Sequence, residues 1–156
     1  MSWFKLFKNT PDRVSSILYD ERTFYQALFK DIESSQSEII IESPFISASR
    51  VEDFYPIFKR ILDRGTKVLI ITRHPADLDA NMRDVATNEI MQMGDMGIEV
   101  RLIKGNHHRK LAIIDKRVLY EGSLNILSQN NSIEFMRRFD DSAIANELLK
   151  FTKLKV

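Results

Sequence analysis

The chain has 156 residues, 44% of them hydrophobic and 29% charged, with a formal net charge of +1. That length fits one α/β domain whose core needs no covalent staple, and the absence of cysteine excludes a disulfide scaffold, a thiol nucleophile and a thiolate metal site. The near-neutral charge excludes a protein that coats nucleic acid through its overall field, so an anionic partner has to be held by a local cluster.

No repeat, low-complexity stretch or linker divides the chain, so residues 1–156 read as one domain with residues 1–20 as an N-terminal extension. Trp3 to Lys8 is apolar with interspersed lysines. It is too short for a signal peptide, and no apolar run is long enough to span a bilayer. Its small area favours packing on the core or a partner subunit over a membrane surface. Cysteine-free composition fits a reducing cytoplasm, which is the expected location.

Phe24, Leu28 and Ile32 recur every four residues and predict an amphipathic helix over 21–34. The β-branched run 37–42 predicts a buried strand stopped at Ser43-Pro44. A second helix is expected over 50–64, with Pro56 near its start and Arg64-Gly65 as its stop. Residues 67–72 read as a second buried strand, 73–77 as a loop and 83–96 as a third helix ending at Gly97. Met91, Met93 and Met96 are expected to pack that helix. A third strand follows at 98–103. Strand, helix, strand, helix, strand is the pattern of a parallel sheet with helical crossovers. After it, 110–115 and 117–120 read as strands joined by a tight turn, 132–139 as another strand and 141–152 as a closing helix. The expected fold is α/β, with a mixed, largely parallel β-sheet flanked by helices on both faces.

Polar residues crowd between Asn106 and Asn125. His108, Arg109 and Lys110 open a strand whose interior is apolar and which Asp115 closes. Alternation puts His108 and Lys110 on one face. Gly122 permits close backbone approach, and Ser123 and Asn125 offer hydrogen-bond donors. An imidazole, an ammonium, a hydroxyl and an amide are what a phosphoryl centre needs: a nucleophile and several donors to its oxygens.

The pattern His108-x-Lys110-x4-Asp115-x6-Gly122-Ser123-x-Asn125 resembles the signature of the phospholipase D superfamily. Six fixed residues at average usage match by accident in about one chain in a million of this size. The resemblance covers roughly residues 20–150. It implies a two-step mechanism in which one histidine attacks phosphorus and a second protonates the leaving oxygen and then activates water. Lysines and asparagines bind the non-bridging oxygens, with no metal and no cofactor. A histidine titrates close enough to neutrality to act as base or acid, and lysine supplies positive charge. The mechanism needs two such motifs and the chain has one. The resemblance therefore implies a homodimer with a composite site on its twofold axis. It also implies a downstream carboxylate orienting the histidine; Glu134 is the only acid between Glu121 and Asp140. Asp115 is expected to brace the fold more than to touch substrate.

Plainer readings stand beside these. His107 has no motif role and is a candidate substrate contact only. His74 reads as a loop residue, and a zinc site at His107-His108 lacks a spaced third ligand. Arg109, Arg137 and Arg138 with Lys104 form either a patch for a polyanion or ordinary solvated charge. Ser128 to Ser132 is either a plain polar loop or, the reading favoured slightly, a lip touching a sugar–phosphate chain; Phe45 either stacks on a base or, the favoured reading, fills the core. The motif reads the phosphodiester and not what hangs from it. The soluble character, the arginines and the polar lip favour a metal-independent endonuclease acting on DNA, with RNA as a further substrate. Resemblance of the 107–139 region to domains of DNA-processing systems adds a helicase or similar protein as a partner. The alternatives are a phospholipase of the cardiolipin-hydrolysing type and a non-catalytic nucleic-acid-binding module.

Overall fold

A computed structural model describes residues 14–154. The Trp3 to Lys8 segment lies outside them. In chain order the elements are β1 (Ser16–Asp20), α1 (Phe24–Glu33), β2 (Glu38–Glu42), α2 (Ala48–Asp63), β3 (Lys67–Arg73), a 3-10 turn (Pro75–Asp77), α3 (Ala80–Asp95), β4 (Glu99–Ile103), β5 (Leu111–Ile114), β6 (Val118–Gly122), β7 (Phe135–Asp140) and α4 (Ser142–Thr152). The strands form one sheet in the order β1-β7-β6-β5-β2-β3-β4.

The sheet is mixed and has helices on both faces. Its parallel part is β2, β3 and β4, joined by helical crossovers. The remaining pairings, β2–β5, β5–β6, β6–β7 and β7–β1, are antiparallel. From β5 onward the connections carry no crossover helix, so neighbouring strands must reverse. Alternation along the strands divides the core. Ile39, Ile41, Val68, Ile70, Ala112 and Ile114 face α1, α2 and α3, joined by Phe24, Phe54, Phe58 and Met93. Ile40, Leu69, Ile71, Leu111, Ile113 and Leu119 face the other way, against Ala145 and Leu149 of α4. Central strands apolar on both faces explain the unbroken β-branched runs. Of the three methionines, Met93 is buried, whereas Met91 projects into solvent.

Three placements differ from the sequence reading. Ser16–Asp20 is an edge strand antiparallel to β7, not part of an extension. Pro56 sits inside α2, not near its start. An interior proline removes one helical hydrogen bond, and here the helix is held by the buried Val51, Phe54, Ile57, Phe58 and Ile61. His108 and Lys110 precede β5, which begins at Leu111.

Asp115 ties the far end of β5 to the start of β2. Its carboxylate accepts from the N–H groups of Gln36 (2.8 Å), Ser37 (2.8 Å) and Glu38 (3.0 Å) and from the Ser37 hydroxyl (2.8 Å). Burial pushes the carboxyl up, but the bonds from Glu38, Gln36 and Ser37 outweigh it and hold Asp115 below its ordinary value. The residue also adopts a left-handed conformation, φ 51°, which aspartate tolerates better than most residues. Asp115→Ala should lose about 2–3 kcal/mol at neutral pH, since several amides lose an acceptor. A lowered native-state pKa stabilises fully above the unfolded value and is lost as pH falls through the native one. Urea denaturation should therefore show the wild-type and variant stabilities converging in acid; a gap that persists at low pH would contradict this role.

Candidate functional site

The reversal of β5 gathers the site. The carboxyl ends of β2 and β3, at Glu42 and Arg73, lie at the same sheet edge as the start of β5, because Glu42 pairs with Leu111. Leu111 also pairs with Glu121, and Gly122 with Met136, so β6 ends and β7 begins there too. His108, Lys110, Gly122, Ser123, Glu134, Glu42 and Arg73 thus converge from distant parts of the chain. Asp115 does not join them: it lies at the opposite end of β5, away from the other motif residues.

A pocket of about 370 Å³ opens at this edge, lined by His108, Arg109, Lys110, Leu111, Glu121, Gly122, Phe135, Arg137 and Leu148. A larger cavity, about 640 Å³, lies at the far edge beside Glu38, Lys116 and α4 and contains no motif residue. His108 is exposed, and its ring stands edge-on to Phe45 with centroids 6.0 Å apart. Arg73 stacks over the other partner of that contact, 4.7 Å from the Phe45 centroid. Phe45 is therefore a wall beside His108 more than core filling. Lys110 is half-buried, and its Nζ donates to the His108 carbonyl at 2.7 Å. Burial lowers the Lys110 pKa, nearby Glu134 works against that, and Arg73 adds to the lowering.

Glu134 thus acts on Lys110. Among the described residues the His108 imidazole makes no hydrogen bond to it, and the Glu134 N–H donates to Glu21 at 3.1 Å. Ser123 anchors β7: its N–H donates to the Phe135 carbonyl (3.0 Å), and its hydroxyl accepts from the Phe135 N–H (3.2 Å). The hydroxyl proton stays free to donate elsewhere. Asn125 stands between the fully buried Leu124 and Ile126, with a buried, unpaired side-chain oxygen.

Two members of the expected basic patch, Arg109 and Arg138, are neutralised from within. Arg109 donates through Nε (3.0 Å) and Nη2 (2.8 Å) to Glu42, whose side chain is 0% exposed. His107 is no surface contact: its side chain is buried, with Nε2 3.1 Å from the same Glu42 oxygen but unpaired. Burial, then the cations Arg109 and Arg73, push this imidazole down to about 4, so it is neutral at physiological pH. Arg138 pairs with Asp31 at 2.7 Å, and Arg137 donates to Ser16 at 2.8 Å while still lining the pocket. The 128–132 loop closes on itself through Gln129 and Ser132. Glu42, Arg73 and the placement of Phe45 were not found from sequence. The available signal was position: charged residues closing parallel strands lie where α/β sites gather.

Residues 28–154 match the family model described as "Cardiolipin synthase, PLD-like domain". The chain belongs to the phospholipase D superfamily. No curated protein matches it significantly in sequence. Among solved structures, NucT from Helicobacter pylori superposes with a TM-score of 0.68 at 21% identity, covering 89% of this chain and 93% of that one. Nuc from Salmonella typhimurium, a phospholipase D family member, gives 0.67 at 19% identity, with 88% and 90% covered. The archaeal chromatin protein TrmBL2 gives 0.58 at 14%, with 92% and 52% covered. Across this likeness of fold, the phospholipase D signature falls at the sheet edge described above, apart from Asp115. No group of three His, Asp or Glu side chains arranged for a metal occurs among the described residues, and no described helix is long and apolar enough to cross a membrane.

Gly122 explains itself by contact. A Cβ there would lie 2.3 Å from the Phe135 carbonyl oxygen and 2.9 Å from the Met136 Cα. The glycine is thus required by strand pairing at the pocket wall, a more structural duty than binding substrate. Gly122→Ala should destabilise the fold by about 2–3 kcal/mol through overpacking against backbone; an unchanged urea midpoint would contradict the close approach.

Proposed function

We propose that the protein hydrolyses phosphodiester bonds of nucleic acid, DNA first, without a metal ion, in a site completed by a second copy of the chain. The observation that carries this reading is the exposed His108 beside a half-buried Lys110 at the mouth of a pocket whose sequence signature occurs once. His108 attacks phosphorus, and the bond to the leaving oxygen breaks as that oxygen takes a proton from His108 of the second copy. The now neutral imidazole then takes a proton from water, whose oxygen displaces His108 from phosphorus. Lys110, Ser123 and Asn125 bind the non-bridging oxygens, and Glu134 supports the charge of Lys110. Developing negative charge held by fixed donors is the main source of acceleration in such a site.

Two features support a second copy. Phe135 and Phe151 are exposed, at 53% and 79%. The pocket at His108 shares Glu121 and Leu148 with a neighbouring depression that reaches Phe151. An apolar strip thus borders the reacting groups, a common mark of an interface. The nucleic-acid assignment is supported by Arg73, Arg137 and Lys110 at one edge and by TrmBL2, whose description records DNA binding. The family description naming cardiolipin synthase favours a lipid diester as the second reading. A helicase or other DNA-processing partner would deliver substrate to a chain of low net charge.

Plasmid nicking should persist in excess EDTA and fall to background in His108→Ala. Loss of nicking in EDTA would overturn the metal-free mechanism, and turnover of cardiolipin vesicles without nicking would overturn the substrate assignment. Wild-type and His108→Ala chains, unfolded together and refolded as an equal mixture, should retain about a quarter of the activity, because a composite site needs both histidines. Retention of half would mean that each chain works alone.

A further inference from the structure

The segment carrying His108 and Lys110 has little secondary structure to hold it. β4 stops at Ile103 and β5 starts at Leu111. Between them the backbone makes one turn bond, from the His107 N–H to the Gly105 carbonyl at 3.0 Å. Side chains do the rest. Asp77 accepts from the Gly105 N–H at 2.9 Å, and Arg73 donates to the His107 carbonyl at 2.9 Å. The innermost tie is Glu42. Its one carboxylate oxygen receives both Arg109 bonds and lies 3.1 Å from His107.

Residues 107 and 109 flank the nucleophile. In an extended segment alternate side chains point to opposite sides. With the His107 side chain buried beside Glu42 and the Arg109 guanidinium bonded to it, His108 and Lys110 are turned toward the pocket. We propose that Glu42 is the positioning residue of the site: it bonds Arg109 and packs beside the buried His107, and through these two neighbours of His108 it aims His108 and Lys110 at phosphorus.

This rests on the reading of His108 as nucleophile. A carboxylate at the bottom of the site would repel a phosphodiester if it faced the pocket. Glu42 is fully buried, and Arg109 stands between it and solvent with its charge neutralised. It therefore contributes geometry without presenting negative charge to the substrate. The second carboxylate oxygen is buried without a partner. Glu42 is consequently held from one side only, and the Arg109 fork is what fixes its orientation.

The test uses bis(p-nitrophenyl) phosphate, a diester that is neither nucleic acid nor lipid, with Glu42→Gln, Arg109→Gln and the double variant. Each single change should lower kcat by about 10²-fold with KM within about threefold, the cost of misplacing a reacting group by roughly an ångström. The double variant should be no slower than the worse single, because both act through one tie. Amide hydrogen exchange at residues 106–110 should rise while the central strands keep their protection. A kcat for Arg109→Gln within twofold of wild type would overturn the proposal, as would unchanged exchange at 106–110. If Glu42→Gln does not fold, Arg109→Gln decides alone, since its side chain is 41% exposed. If the wild-type protein hydrolyses no diester, the functional reading falls, and the exchange result still decides whether Glu42 fixes the segment.

Discussion

In a sheet where β2, β3 and β4 run parallel, a fourth parallel strand would deliver its lead-in residues to the edge opposite their carboxyl ends. β5 runs the other way against β2. That single antiparallel pairing brings the residues before Leu111 to the ends of β2 and β3, and everything else at the site follows from it. The pairing is secured at both ends by side chains. Asp115 ties the end of β5 to the amides of Gln36, Ser37 and Glu38. At the other end, Glu42 holds Arg109 just beyond the last ladder pair. Between these ties the strand is apolar on both faces, so a one-residue slip would keep it buried yet exchange the two faces. The polar ties therefore select the register that the hydrophobic pattern alone leaves weakly specified.

The charges of the molecule divide by function along the same lines. Arg109 and Arg138 are engaged by carboxylates of the chain itself, Glu42 and Asp31, although Arg109 stays partly exposed. A buried ion pair contributes little net stability compared with an apolar pair of the same shape, but breaking one side is costly. Such pairs hold geometry more than they add stability. Near the pocket the cations not paired with a carboxylate are few among the described residues: Lys110 and Arg137 on its wall, and Arg73 beyond Phe45. The few cations left unpaired by carboxylates thus gather at one edge of a chain with a net charge of +1.

What was legible in the sequence was local. Phe24, Leu28 and Ile32 mark a helix because neighbours four apart share a face. The β-branched runs of β2 and β3 mark buried strands, and the spacing from His108 to Asn125 marks a known signature. β1 was missed because it is an edge strand with Ile17 and Leu18 both about half exposed, which erases the alternation that identifies a half-buried strand. Pro56 misled because proline usually sits in a first helical turn, while tertiary burial carries α2 through it. Glu42 and Arg109 are 67 residues apart, and Arg73 and His107 are 34 apart. No local pattern announces such partners; only the strand order brings them together.

The same topology separates chemistry from substrate choice. His108 and Lys110 lead into β5 and their segment is held from β2 and β3, the central strands of the sheet. The pocket walls come from elsewhere: Glu121 and Gly122 from β6, Phe135 and Arg137 from β7, Leu148 from α4. These walls lie toward the edge strand β1, where Ile17, Leu18 and Phe135 are exposed and substitution disturbs little core. A fold arranged this way can change what its pocket accepts without disturbing how its histidine is aimed.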